Sequence, residues 1–300
     1  MAMAHEQVTY GDEKQNRRKV IIRYSIIYSL LVLFALFIII PFYWMILTAL
    51  KTEFEVQAIP PILWLNPTEW QFSNFALALE RAPFARFMLN TVIVSIISTI
   101  GTIITTVFAS FAFARLNFVG RDILFFVLIA TMMIPGEIFV ITNFITVVEL
   151  GWIRDQTFVD ALLAMTFPFM TSIFYIFFLR QTFKQVPNEL YYAAKVDGTK
   201  DLQYLWKIMV PIAMPTIITI TILNAMGTWN AFIWPQLVTQ REEFRLVSNG
   251  LRNAFEDSLG VVAFNEQMAA ALLVTLPLLI VFLTLKKYII RGVSRSGIKG

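Results

Sequence analysis

Long apolar runs alternate with short polar segments along the chain, and the period of two expected of β-strands is missing. Residues 24–50, 87–114, 161–179, 208–240 and 267–285 contain no Asp, Glu, Lys or Arg. Residues 123–148 form a further run, interrupted only by Glu137. About 20 apolar residues in helical form cross ~30 Å of hydrocarbon. Backbone polar groups in lipid must be paired internally, so runs of this length predict helices. Transmembrane β-strands would show short alternating segments instead. The fold class read from the pattern is an all-α integral membrane protein with six transmembrane helices.

The first apolar run follows a polar lead of about 23 residues and is too long for a signal h-region, so it reads as a retained helix. Prolines fall inside several runs: Pro135 beside Gly136, then Pro168, Pro211, Pro215, Pro235 and Pro277. Neighbouring helices can tolerate such breakers. Breaks can equally shape a cavity or hinge, which points toward transport.

Charge sets the orientation. Of the 24 Lys and Arg residues, 17 lie in the N-terminal tail, residues 115–122, residues 180–207 and the C-terminal tail. Positive loops stay on the cytoplasmic side, so both termini are expected there. The organisation is then a cytoplasmic tail (1–23), a membrane domain (24–285) and a second cytoplasmic tail (286–300). A cytoplasmic loop (180–207) and an outer loop (239–266) belong to the membrane domain. The same asymmetry accounts for the sequence pI of 9.3 without a nucleic-acid partner, which would need a clustered basic face.

Composition narrows the chemistry. Hydrophobic residues make up 58% and charged residues 15%, and mean hydropathy is +0.69. Soluble chains carry about 25% charged residues, so the solvent must be partly lipid. With no cysteine and a single histidine, His5, thiolate or histidine metal centres and a catalytic triad have no residues to draw on. No G-x-x-x-x-G-K-[ST] phosphate loop occurs, so ATP hydrolysis by that route is excluded for this chain. An ion gradient is the other source of energy. Only Glu137 is ionisable and deep, ~21 Å along its run at 1.5 Å per residue.

The loop 180–207 is the most informative segment. Pro187 suits a helix start and Glu189 the positive end of its dipole. Gly198 suits a left-handed helix end, and Thr199 suits the cap of a second short helix. A helix–turn–helix on the cytoplasmic side follows, with Ala193, Ala194 and Gly198 small enough for close approach of another surface. An ordinary amphipathic connector also fits these residues.

The stretch V-P-N-E-L-Y-Y-A-A-K-V-D-G-T, followed by P-I-A-M-P, resembles the coupling-loop signature of ABC importer permeases. That signature is Glu-Ala-Ala, two variable residues, Asp-Gly and then a proline pair. Ala193, Ala194, Asp197, Gly198, Pro211 and Pro215 stand at matching positions, while Tyr192 replaces the family's glutamate. L-N-T at 89–91, F-A-F-A-R-L-N-F-V-G at 111–120, M-I-P at 133–135, W-N-A-F at 229–232 and the final S-G-I-K-G are similar to the carbohydrate-uptake branch. They resemble the smaller, six-helix permease of maltose-type importers, along nearly the whole chain.

The resemblance implies half of a translocation pore in a bacterial or archaeal cytoplasmic (inner) membrane. The implied partners are a second permease subunit, two ATPase subunits that bind ATP and Mg, an extracytoplasmic sugar-binding protein, and membrane lipid. Glu189, Tyr192, Ala193, Ala194, Asp197 and Gly198 would dock on an ATPase and drive alternating access. Gly297, Lys299 and Gly300 of the C-terminal tail would also contact the ATPase, although a basic tail equally suits anionic lipid. The mixed-charge outer loop would meet the binding protein.

Candidate substrate-pathway residues are Glu137, Asn143, Asn224, Trp229, Asn230 and Trp234, which combine amides and flat aromatic faces suited to polyhydroxylated ligands. An interfacial aromatic belt and interhelical hydrogen bonds explain the same residues. The absence of Lys and Arg from the six runs favours a neutral sugar, although a partner chain could supply charge. By resemblance the cargo is a di- or oligosaccharide, with glycerol phosphates and polyols as alternatives that close relatives also handle. The alternatives are an ion-coupled carrier using Glu137 and a membrane protein without a pathway; no catalytic constellation supports an enzyme.

Overall fold

The computed structural model describes residues 2–251, 254–255 and 262–294. In chain order its helices are α1 (Ala2–Ala49), α2 (Glu53–Val56), α3 (Ser73–Glu80), α4 (Phe84–Arg115), α5 (Arg121–Thr131), α6 (Ile138–Glu149) and α7 (Phe158–Thr166). There follow α8 (Ile173–Gln185), α9 (Asn188–Val196), α10 (Asp201–Tyr204), α11 (Val210–Trp229), α12 (Ile233–Val238), α13 (Val247–Gly250) and α14 (Phe264–Ser294). No strand of two or more residues occurs among the described residues. Two units are distinguishable: residues 1–76 with 263–272, and residues 77–262 with 273–300.

In the first unit, the last part of α1 is the apolar span Lys19–Ala49. Its end is capped by side chains. Asn74 Nδ2 donates to the carbonyls of Ala49 (2.9 Å) and Lys51 (2.8 Å), and Asn265 Nδ2 donates to Asn74 Oδ1 (3.2 Å). These bonds satisfy carbonyls that a helix end leaves orphaned. Lys51 is buried, lies 4.4 Å from the Trp44 ring centroid and donates to the Ile62 carbonyl at 2.7 Å. Burial pushes its ammonium pKa down, and Glu55 opposes that shift.

In the second unit, α4 is the central post, packed along both α8 and α11. Its inward face carries buried hydroxyls at helical spacing: Thr91, Ser95, Ser98, Thr102, Thr106 and Ser110. Ser110 Oγ donates to the Ile176 carbonyl at 2.9 Å, and Thr102 Oγ1 donates to the Phe169 carbonyl at 3.3 Å. The second bond falls where the neighbouring helix breaks, which is how a broken backbone is tolerated at membrane depth.

The spans differ in continuity from the sequence expectation. Among the described residues, four helical segments are long and apolar enough to cross a membrane: Lys19–Ala49, Phe84–Arg115, Asp201–Trp229 and Phe264–Thr284. The run 161–179 is a bent pair, Phe158–Phe169 and Ile173–Gln185, meeting at 53°, with Pro168 in the short 3-10 turn before the break. Taken as one span, the pair makes a fifth. The run 123–148 is two helices of 11 and 12 residues, α5 and α6, separated at Pro135-Gly136. Neither is long enough to cross alone. The run 208–240 ends as a helix at Trp229 and resumes as α12.

Pro211, Pro215 and Pro277, by contrast, sit inside continuous helices. Pro211 lacks the N–H that would bond the Lys207 carbonyl, and a π turn over Leu205–Met209 occupies that position.

Candidate functional site

The segment that resembles a coupling loop folds as a helix–turn–helix. Pro187 is the N-cap of α9, one position before its first helical residue, rather than inside it. Gly198 has φ +74°, and the Gly198 and Thr199 amides donate to the carbonyls of Lys195 (3.0 Å) and Ala194 (2.8 Å). This left-handed glycine termination satisfies the last carbonyls of α9. The second helix, α10, starts after Lys200, one residue later than a Thr199 cap would place it, and runs through the π turn into α11.

The turn is braced on both sides. Tyr191 OH donates to Asp201 Oδ1 at 2.8 Å, and Lys195 Nζ lies 2.7 Å from the same oxygen. The bond to Asp201 holds the Lys195 pKa above its ordinary value. Burial, then the Asp201 contact, raises the Tyr191 phenol. Tyr204 is fully buried beneath, edge-on to Tyr191 at 5.0 Å and 6.4 Å from the Phe111 ring of α4.

Of the six loop residues singled out from sequence, Glu189, Tyr192, Ala193, Asp197 and Gly198 are exposed. Ala194 departs from that expectation. It is buried in the core cluster with Phe183, Val186 and Leu205, because the apolar side of α9 must face the bundle. The outward side also carries Leu190 (44% exposed) and Val196 (87% exposed), which sequence reasoning passed over. Their signal was available: apolar residues on the polar side of a short amphipathic helix. Gly297, Lys299 and Gly300 lie outside the described residues, as do Arg252, Glu256 and Asp257 of the outer loop.

A second feature is a cavity of about 250 Å³ lined by residues of α4, α7, α8, α11 and α12. Its polar groups are Ser98, Tyr175, Asn224 and Thr228, and Phe169 and Trp234 form an aromatic wall, edge-to-face at 5.2 Å. No lining residue is charged. Trp234 is fixed by its indole N–H, which donates to the Ala164 carbonyl at 3.0 Å, and Asn224 Nδ2 donates to Thr99 Oγ1 at 3.2 Å.

The cavity thus unites Asn224 and Trp234 but not the other four pathway candidates. Glu137 is exposed at the N-cap of α6, away from this lining. Asn143 is half-buried on α6. Trp229 is buried and does not line the cavity. Asn230 caps α11, donating from Nδ2 to the Met226 carbonyl at 2.8 Å.

Ser98, Tyr175 and Thr228 were missed. Ser98 belongs to the hydroxyl stripe of α4, whose three- and four-residue spacing is legible in sequence. Tyr175 and Thr228 join it only through packing. Among the described residues, no three His, Cys, Asp or Glu groups are placed to hold a metal ion.

The segment after α12 is built against the N-terminal part of α4. Asn90 Nδ2 donates to the carbonyls of Glu243 (2.9 Å) and Arg245 (3.0 Å), and the Val247 amide donates to Thr91 Oγ1 at 2.9 Å. Glu243 of this segment pairs with Arg241 at 2.6 Å and with Arg86 of α4 at 3.7 Å.

Comparison with known proteins agrees with this architecture. Residues 99–295 match the family model described as binding-protein-dependent transport system inner membrane component. The chain is 31% identical over 277 residues to a probable ABC transporter permease protein of Mycoplasma pneumoniae, covering 89% of this chain and 86% of that one. It is 25% identical over 272 residues to a diacetylchitobiose uptake system permease protein of Streptomyces coelicolor, covering 91% and 88%. It is also 25% identical over 271 residues to an sn-glycerol-3-phosphate transport system permease protein of Yersinia enterocolitica, covering 89% and 94%. A chain in the crystal structure of a bacterial ABC transporter involved in the import of the acidic polysaccharide alginate has the same fold. The TM-score is 0.74 at 23% identity, with 88% of this chain and 96% of that one covered. The chain belongs to the family of inner-membrane components of binding-protein-dependent transport systems, and it is a permease subunit of an ABC importer.

Proposed function

We propose that this permease carries a neutral di- or oligosaccharide through the cavity between α4, α8, α11 and α12, powered by ATPase subunits docked on α9. The observation that carries the reading is the cavity lining. It combines an aromatic pair, Phe169 and Trp234, with four uncharged hydrogen-bonding groups, Ser98, Tyr175, Asn224 and Thr228, and no charged group. Aromatic faces cover the apolar face of a sugar ring, and amides and hydroxyls pair with its hydroxyls. An anionic cargo such as a sugar phosphate calls for Arg or Lys, which the lining lacks. The name of the diacetylchitobiose relative supports a saccharide.

In this reading six spans cross the bacterial or archaeal inner membrane, with α5 and α6 together supplying the third, and both termini are cytoplasmic. The charge asymmetry supports that orientation. The complex comprises this chain, a second permease, two ATPases that bind ATP and Mg, and an extracytoplasmic sugar-binding protein. The exposed residues Leu190, Tyr192, Ala193, Val196 and Gly198 form the ATPase-facing surface of α9, and the C-terminal tail with Gly297, Lys299 and Gly300 adds a second contact. The outer segment that follows α12 receives the binding protein. Glu137 has no role in the pathway.

The test is uptake by the complex reconstituted in proteoliposomes. Asn224→Leu should raise the half-saturating sugar concentration about 2- to 10-fold, the worth of one hydrogen bond of about 0.5–1.5 kcal/mol, with the maximal rate less affected. Unchanged saturation in Asn224→Leu, Ser98→Ala and Thr228→Val would remove the sugar from this cavity.

A further inference from the structure

Two buried arginines join the cytoplasmic ends of α4 and α8. Arg115, the last residue of α4, is 7% exposed. Its guanidinium donates to the carbonyls of Phe183 (2.7 Å) and Val186 and to Asn188 Oδ1. Phe183 is in the last turn of α8, Val186 is its C-cap, and Asn188 is the first residue of α9. Arg180 of α8 reaches in the opposite sense: its Nε donates to the Phe113 carbonyl in the last turn of α4 at 3.0 Å. Its guanidinium carbon also lies 3.7 Å from the Phe125 ring centroid.

Each arginine therefore serves the end of the other's helix. They differ in charge compensation. Arg180 has Asp122 at 4.0 Å, whereas the three acceptors of Arg115 are all neutral. A buried cation paired only with neutral groups contributes little to stability, because desolvation offsets most of the attraction. What it does supply is geometry. A planar fork with fixed donor directions holds three acceptors on two successive helices in one arrangement, which a flexible lysine does not.

The helix that carries this fork also reaches the cavity. Arg115 and Ser98 are 17 positions apart on the uninterrupted α4, about 25 Å at 1.5 Å per residue. The joint between α8 and α9 contains Pro187, which has no N–H to contribute, so the joint's own backbone ladder is interrupted there.

We propose that Arg115 is a positioning residue for energy coupling: its guanidinium locks the α8–α9 joint to α4, so that force applied to α9 moves α4 as one body and reaches the cavity lining at Ser98. The inference rests on the reading of α9 as the ATPase-docking helix. Without the fork, α9 remains docked but pivots at Pro187, and hydrolysis is spent without moving α4.

The experiment uses the full reconstituted complex and measures sugar transported per ATP hydrolysed. Arg115→Met and Arg115→Lys should keep ATPase co-purification within about twofold. The transport-to-hydrolysis ratio should fall about 10-fold or more in Met and by less in Lys, which offers one point charge to the three acceptors. Asn188→Ala, which removes only the acceptor on α9, should give a smaller loss in the same ratio, and it keeps the test open should Arg115→Met fail to assemble. An unchanged ratio in assembled Arg115→Lys and Asn188→Ala complexes would overturn the proposal.

Tyr192→Cys in this cysteine-free chain supplies an independent check on docking, by crosslinking to the ATPase. Loss of that crosslink in the otherwise wild-type complex would sink the docking reading itself. A persistent crosslink beside an unchanged ratio would sink only the role of Arg115.

Discussion

Gly198 ends α9 at φ +74°, and a Cβ built there meets nothing within 4 Å. The cost of Gly198→Ala is therefore conformational rather than steric. Placing an L-residue in the left-handed region costs about 1–2 kcal/mol, and asparagine pays less because its side chain bonds locally. One to two kcal/mol is about a 5- to 30-fold shift in a local equilibrium. The bonds that open are the Gly198 amide to Lys195 (3.0 Å) and the Thr199 amide to Ala194 (2.8 Å). Hydrogen exchange at the Thr199 amide should accelerate by about that factor in Gly198→Ala and by less in Gly198→Asn. Co-purification of the ATPase adds a second readout. Asparagine repairs the turn but fills the open space above it, so a partner that approaches closely would be lost from Gly198→Asn although the turn is intact. Equal exchange rates in glycine, alanine and asparagine forms would refute the assignment of this residue as a strained helix termination.

Further outcomes follow from burial. The Tyr204 ring is fully buried and its hydroxyl has no hydrogen-bond partner among the described residues, so Tyr204→Phe should leave thermal stability unchanged or raised by up to about 1 kcal/mol. Tyr204→Ala should cost about 3–5 kcal/mol, and equal losses in both variants would contradict the packing described here. A Cβ at Gly250 would lie 2.5 Å from the buried ring of Phe87, so Gly250→Ala should destabilise by about 1–3 kcal/mol, read as a lower Tm in detergent. Tyr192 is 63% exposed, so Tyr192→Glu should change stability by no more than about 0.5 kcal/mol and should keep or strengthen ATPase recovery. Loss of the ATPase with the fold intact would show a partner surface fitted to tyrosine.

The sequence by itself determined the lipid environment, the helical class and the place of the helix–turn–helix between α8 and α11. These depend on local quantities: apolar run length, the distribution of Lys and Arg, and the positions of Pro187 and Gly198, each of which acts within a few residues. Tertiary structure decided which broken runs stay broken. Pro168 and Pro135 interrupt helices, while Pro215 and Pro277 do not, and the carbonyl at one break, Phe169, accepts from the Thr102 hydroxyl of a neighbouring helix. Ala194 looked like part of a contact surface because small residues permit close approach, but the apolar side of α9 had a core to fill first. The cavity was half legible. Asn224 and Trp234 stand out as an amide and an indole in apolar surroundings, but Glu137, Asn143 and Asn230 stand out equally and lie elsewhere. Which of them meet is set by the crossing of α4, α8, α11 and α12, a long-range arrangement that no single run encodes. Arg115 shows the same limit most sharply: by sequence it is one more basic residue at a helix end, and only the packing turns it inward onto Phe183, Val186 and Asn188.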